Sequence, residues 1–199
     1  SVIDSITWSS GGTVAGIPDN ANPAEVINMS LGGGGACGVA LQGAIDAAVG
    51  RGSTVVVAAG NSGADAATEQ PASCNNVINV AAVGPTGTKP GYSNFGPLID
   101  VAAPGGSGAS PATDNVLSTL NLGTTVQGAE AYAWYNGTSM AAPHVAGVVA
   151  LIQSASTTPK TPAQVEKILE NTAYANGGFP GGCSFAQPCG AGIIDATAA

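Results

Sequence analysis

The chain has 199 residues, of which 44% are hydrophobic, 5% aromatic and 8% charged, and its 4 Lys+Arg against 12 Asp+Glu give a formal charge of -8. That balance excludes a disordered chain, which needs dense charge and little apolar content, and a coiled coil, which needs about half its residues from Ala, Glu, Lys, Leu and Arg. Four cations cannot neutralise a run of phosphates, so no nucleic-acid partner is expected, and a surface this poor in charge must be covered by Ser, Thr, Asn, Gly and Ala, as suits a secreted, extracellular protein.

Val2 to Trp8 carries apolar residues at helical spacing and is followed by a Gly11-Gly12 break and a polar Pro/Asn loop from Ile17 to Pro23. There is no initiator Met and no signal-like opening, so Ser1 is not expected to be the biological start. Glu25 to Leu31 reads as a buried strand ending in Gly32 to Gly35, Val39 to Val49 as a helix, and Ser53 to Ala59 as a second strand stopped by Gly60. Asn76 to Val83 and Ile99 to Ala103 are further short, almost continuously apolar strands. Strands of this kind are buried on both faces, which predicts a parallel sheet covered by helices.

Gly105 to Pro111 is a small-residue loop, and Val126 to Tyr135 reads as hairpin-like strands. A helix is expected from Ser139 to about Ser154 and another from Thr161 to Thr172, capped by Thr161 with Pro162 at its first position. The Gly/Pro/Cys-rich tail beyond Gly177 is expected to be a surface loop. The longest apolar stretch, Met140 to Ile152, is interrupted by Pro143 and His144 and falls short of the roughly 18 residues of a membrane span, so no membrane partner is expected. With no internal repeat, linker or change of composition, one domain is predicted.

Four cysteines permit three connectivities. Proximity favours Cys183 with Cys189, leaving Cys37 with Cys74, with chain-entropy contributions of roughly 2 and 4 kcal/mol. No Cys-x-x-Cys pair occurs and a single His is present, which argues against zinc. Disulfides imply an oxidising compartment.

The most informative stretch is Asn136-Gly137-Thr138-Ser139-Met140-Ala141-Ala142-Pro143-His144-Val145-Ala146-Gly147, which runs into the apolar helix Val148 to Ile152. Ser139 sits where a polar loop enters a helix, so its hydroxyl is exposed and its N–H lies at the positive end of the helix dipole, where a developing oxyanion is stabilised. Pro143 is placed in the first turn, where a missing N–H removes little. The segment resembles the nucleophile segment of the subtilisin-like serine proteases, the subtilase family. Val55 to Gly63 is similar to the oxyanion-hole strand of that family, with Asn61 as the side-chain donor beside the Ser139 N–H. Asn28 to Gly33 resembles its substrate-binding strand. By that resemblance a peptide adds as a strand along Ser30, Leu31 and Gly32, with Ala58, Ala59 and Gly60 lining the other side of the pocket. A phosphate-cradling glycine loop is the competing reading of Gly32 to Gly35, and the GxGxxG pattern is only loosely met there.

Further resemblance runs through Pro71-Ala72-Ser73, Tyr92 to Gly96, Asp100 to Gly105 and Gly190 to Ala196, and so covers nearly the whole chain. It implies a structural calcium ion near Asp100 and the carbonyls of Asn75 and Val77, one carboxylate plus carbonyls being sound calcium chemistry. Asp100 as an ordinary capping or surface carboxylate is the alternative. Glu69 reads as a solvated surface acid, the alternative being a carboxylate near the bottom of the specificity pocket that favours a basic side chain. Both Asn-x-Ser/Thr sequons, at Asn28 and Asn136, fall in buried or catalytic segments and read as chance.

One part of the pattern breaks. A serine nucleophile needs a base and a carboxylate to orient it. The only histidine, His144, lies five residues past Ser139, roughly 140° around a helix axis, and points away from it. It is expected to be a partly buried structural side chain. In this family Asp and His precede Ser in the chain. The expectation is therefore an α/β layered, mostly parallel sheet flanked by helices, subtilisin-like and incomplete at the N-terminus, with residues 1–199 forming the C-terminal part of a single peptidase domain. Ser139 and Asn61 act on peptide or protein substrates, and an N-terminal segment of the same protease supplies Asp and His. The alternative from another class is a catalytically inactive peptide-binding relative, and a nucleotide-binding α/β domain is the third reading.

Overall fold

The computed structural model describes residues 1–174, 181–184 and 186–199. Helix α1 (Val2–Ser9) starts on a capping box in which the Ser1 hydroxyl accepts from the Asp4 N–H and the Asp4 side chain reaches back. Strand β1 (Val26–Met29), the two-residue β2 (Gly33–Gly34), helix α2 (Val39–Gly50) and strand β3 (Thr54–Ala58) follow. After them come the two-residue β4 (Glu69–Gln70), β5 (Ile78–Val83) and β6 (Val101–Pro104), then β7 (Val116–Asn121), β8 (Glu130–Tyr135), α3 (Thr138–Ala155) and α4 (Pro162–Thr172).

The main sheet has the order β1-β3-β5-β6 and is parallel throughout, with Val26 beside Thr54, Val56 beside Ile78 and Val80 beside Val101. Every residue of β3 and β5 is buried, as the unbroken apolar runs predict for strands covered on both faces. On one face Val56, Val80 and Val101 pack against Val145 and Val149 of α3 and Val165 and Leu169 of α4. On the other, Val55 and Val57 meet Ile45 and Ala48 of α2, with Ile6 of α1 behind them. Fully burying a side chain of this size contributes roughly 1.5 to 3 kcal/mol, so these two stripes fix which way each strand faces. The order alternates helices and parallel strands as expected, and Thr161 caps α4 with Pro162 at its start. Both expected disulfides are present, Cys37–Cys74 and Cys183–Cys189.

Two local expectations are corrected. The hairpin is formed by β7 and β8, paired from Val116 with Tyr135 to Asn121 with Glu130, so it begins ten residues before Val126, which lies in its turn. The tail was expected as a surface loop, and residues 175–180 and 185 of it lie outside the described residues. Gly190 to Ile194, however, lies along β6: the Ala102 N–H donates to the Gly192 carbonyl and the Ile194 N–H to the Ala102 carbonyl, at 2.8 and 2.9 Å. Backbone groups beside a buried strand need partners, and this segment supplies them.

Candidate active site

Three segments distant in sequence meet at the start of α3. Gly137 precedes the helix with φ 145°, a region costly for a side chain, and Ser139 is the second helical residue. Of the first helical N–H groups, that of Thr138 goes to the Asn61 Oδ1 at 2.8 Å, and those of Met140 and Ala141 go to the Gly137 carbonyl. The Ser139 N–H is left facing the cavity end of the helix, where the dipole favours negative charge.

Asn61 follows β3 in a loop that a buried side chain holds rigid. Asn94, fully buried, accepts from the N–H groups of Ser62 and Ala64 and donates its amide to the Ala59 carbonyl at 2.9 Å. The buried Thr138 hydroxyl bridges the two segments: it donates to Asn61 Oδ1 at 3.1 Å and accepts from the Gly60 N–H at 3.1 Å. With its oxygen occupied twice, the Asn61 amide is oriented so that Nδ2 remains available to donate. The position a Cβ would take on Gly137 lies 3.5 Å from both Nδ2 and Oδ1 of Asn61, the oxygen being engaged by Thr138, and 3.7 Å from the Ser139 nitrogen. Glycine leaves that space empty, and two N–H donors border it.

The third segment is the end of β1. Ser30 Oγ donates to the Ser139 carbonyl at 2.8 Å, and Asn28 Nδ2 donates to Ser30 Oγ at 3.0 Å. This bond follows from Pro143, which lies inside α3 and not, as expected, in its first turn. Residue 143 is four places after Ser139, so its N–H would ordinarily satisfy that carbonyl. Proline has none, and the Ser30 hydroxyl takes the vacant acceptor. Leu31, Gly32, Ala58 and Gly60 then line a cavity of about 110 Å³ together with Asn61, Thr138 and Ser139. Of the expected pocket residues Ala59 is the exception. It is fully buried among Ala66, Ala72 and Ala81 on the opposite face of the sheet, because neighbouring strand residues alternate.

The expectation for His144 is also corrected: it is exposed, with Nδ1 2.8 Å from the Met140 carbonyl. α3 lays Ala141, Ala142, Val145, Val148, Val149 and Ile152 on the sheet, which leaves Pro143, His144, Gly147 and Leu151 on its outer face. Glu69 is no free surface acid. It lines the cavity, and its Oε1 accepts from Ser62 Oγ at 2.8 Å.

A family model described as the subtilase family matches residues 1–192. This chain belongs to the subtilase family. The subtilase chain is 60% identical over 198 residues to an extracellular protease of Xanthomonas campestris, covering 100% of this chain and 32% of that protein. It is 43% identical over 202 residues to an extracellular basic protease of Dichelobacter nodosus, covering 100% of this chain and 31% of that one. A solved protease structure from Pseudoalteromonas arctica superposes with a TM-score of 0.92 at 49% identity, covering 99% of this chain and 56% of that chain. The fold is thus subtilisin-like, and the chain spans about a third of the length of the curated relatives it matches.

Within the subtilase fold, Asp100 lies at the start of β6 and its Oδ2 accepts from the Asn79 N–H at 2.6 Å. Burial pushes its carboxyl up to about 7, against that hydrogen bond and with the added repulsion of Glu166 and Glu170. Oxygens of these three carboxylates lie within 4.8 Å of one another. Glu166 and Glu170 were not foreseen, although their i, i+4 spacing on α4 puts them on one helix face. Asn75 is tied to α2: its N–H donates to Gln42 Oε1 and its carbonyl accepts from Gln42 Nε2 at 3.1 Å. Hard oxygen donors and a carboxylate kept from ionising by burial and like charge fit a divalent cation such as calcium.

Proposed function

We propose that this chain is the C-terminal part of the peptidase domain of a secreted serine endopeptidase. The carrying observation is the clasp of Thr138 on Asn61, which leaves the Asn61 amide and the Ser139 N–H beside one open space at the mouth of a helix. A peptide adds as a strand along Ser30, Leu31 and Gly32. The Ser139 oxygen attacks the carbonyl carbon as the base takes its proton, the carbonyl π bond breaks, and the oxyanion accepts from Asn61 and the Ser139 N–H; the carbonyl then re-forms as the C–N bond breaks. The leaving amine departs with a proton from the base, and water hydrolyses the acyl-enzyme.

The base and its orienting carboxylate come from sequence outside these 199 residues, an N-terminal segment of the same protease. Two features support this. His144 faces away on the outer side of α3, and β1 is an outer strand of the main sheet beside a cavity of about 420 Å³ between residues 24–26 and the end of α3. An additional parallel strand there would pair the outer edge of β1 and cover the exposed α3 face. Calcium is the proposed structural cofactor, which Asp100 would hold with Glu166 and Glu170; bound there it would supply positive charge that offsets the crowded carboxylates, whereas the expected Asn75 carbonyl is turned to Gln42 of α2.

Secretion is supported by the two disulfides and the extracellular relatives, and no helix among the described residues is long and apolar enough to cross a membrane. A fluorophosphonate probe tests the activity: the full-length protein is labelled on Ser139, and Ser139→Ala is neither labelled nor active. Absence of labelling in full-length protein carrying the second segment favours an inactive peptide-binding relative, the reading suggested by the lack of a base near Ser139 in this chain.

A further inference from the structure

The cavity beside Ser139 holds one charged side chain that the mechanism does not use. Among the described residues Glu69 is the only acidic or basic side chain lining it; the other walls are Leu31, small residues and neutral amides. Its position is fixed from two sides, and a third is left open. β4 pairs with β2, with Glu69 opposite Gly34, so the backbone of Glu69 is tied to the strand continuing from Leu31 and Gly32. Ser62 donates to Oε1 at 2.8 Å and holds the carboxylate. Gly60, at φ 105°, has no side chain to intrude: a Cβ there would lie 3.2 Å from Glu69 Cγ and would collide with the Asn94 amide. The glycine thus keeps the approach to the carboxylate open.

The second carboxylate oxygen makes no hydrogen bond within the protein among the described residues, and no Lys, Arg or His lines the cavity. A carboxylate in a concave wall partly shielded from water attracts a cation more strongly than it would in bulk solvent and repels an anion. Leu31 and Ala58 offer an apolar path along which the methylenes of a long basic side chain can lie while its charged head reaches Glu69. We infer that Glu69 makes this cavity selective for Lys or Arg on the residue immediately N-terminal to the scissile bond, and that it rejects Asp and Glu there. This deepens the endopeptidase reading and rests on it.

The test uses the full-length protease and a set of fluorogenic peptides identical except for Lys, Arg, Leu or Glu at that residue. The readout is the ratio of kcat/KM values within one enzyme preparation, which cancels differences in active fraction. The wild type is expected to favour Lys and Arg over Leu and to cleave the Glu peptide least. Glu69→Gln, which keeps shape and removes charge, lowers the Lys-to-Leu ratio about tenfold and relieves the discrimination against Glu, while Glu69→Asp keeps the basic preference. Cleavage by the wild type with no basic preference, or a Lys-to-Leu ratio unchanged in Glu69→Gln, overturns the role of Glu69 and leaves the protease standing. Failure to cleave any of the peptides, together with no fluorophosphonate label on Ser139, overturns both.

Discussion

Replacing Thr138 by Val tests whether the Asn61 donor is positioned by the clasp described above. Val has the shape of Thr without the hydroxyl, so the buried volume is kept while two hydrogen bonds disappear: the donation to Asn61 Oδ1 and the acceptance from the Gly60 N–H, both 3.1 Å. A partly buried N–H at Gly60 then has no partner, at a cost of about 1 to 3 kcal/mol, and urea unfolding should register a loss of that order. The catalytic effect has a ceiling. Removing the side-chain donor of an oxyanion hole costs about 2.7 to 4 kcal/mol, or 10²- to 10³-fold in kcat, a magnitude carried over from a subtilisin, a member of this same family. The Thr138 N–H still holds Asn61 at 2.8 Å, so the variant should fall short of that ceiling, with kcat down roughly 10- to 100-fold and KM little changed. Thr138→Ser restores the hydroxyl and should restore kcat. A Thr138→Val enzyme of normal kcat in the full-length protease would show that the hydroxyl does not position Asn61.

Tyr92 donates to the carbonyls of Gly105 and Gly106 at 2.8 and 2.6 Å, and burial pushes its phenol from 10.0 up to about 12. An acid raised by folding stabilises the native state fully below its unfolded value and loses that contribution as pH rises through the folded one, so stability should decline between about pH 10 and 12. Denaturation curves across that range should show the decline, and Tyr92→Phe should flatten it while costing about 1 kcal/mol at neutral pH. Chelation should lower the unfolding midpoint of the full-length protease, since a calcium ion at 100 times its dissociation constant contributes about 2.7 kcal/mol, and Asp100→Asn should abolish the difference between calcium and chelator. Identical melting in the two conditions contradicts the site at Asp100. Pro143→Ala restores an N–H that competes with Ser30 Oγ for the Ser139 carbonyl. It should raise KM for peptides long enough to pair along Ser30 to Gly32, and equal KM values for proline and alanine enzymes would remove Ser30 from substrate alignment.

The sheet and its helices were legible because burial on both faces leaves an unbroken mark in the sequence. Val55-Val56-Val57 and Ile78 to Val83 can only be interior strands, and the pattern from Val145 to Ile152 can only cover them. The first hairpin strand left no such mark, because Ser118, Thr119 and Asn121 of β7 are exposed and its apolar residues follow no clean alternation. The edge segment Gly190 to Ile194 was hidden by the glycine and cysteine around it, which read as loop. At the site, the segments around Ser139 and Asn61 marked both residues as candidates, and the structure brings those segments together. The clasp by Thr138, the brace by Asn94 and the bond from Ser30 were not legible, and Glu69 in the pocket stood only as the alternative to a solvated surface acid. Each of these three contacts joins residues far apart in the chain, 77 positions in the case of Thr138 and Asn61, and no local periodicity encodes such a pairing.

The site is therefore defined as much by missing groups as by reactive ones. Gly137 and Gly60 leave out side chains that would fill the space beside the Asn61 amide and the Ser139 N–H and the approach to Glu69. Pro143 removes one N–H, which frees the Ser139 carbonyl to hold the end of β1. Each omission opens either a space or a hydrogen-bonding valence, and in each case a group on another element borders or takes it: Asn61, Glu69 and Ser30. A helix that began with an ordinary residue in place of Gly137 and ran on without Pro143 would be locally more regular. It would also satisfy its own backbone and have less need of β1 and the loop after β3. The irregularities at the start of α3 thus couple Ser139 to the end of β1 and to the Asn61 amide.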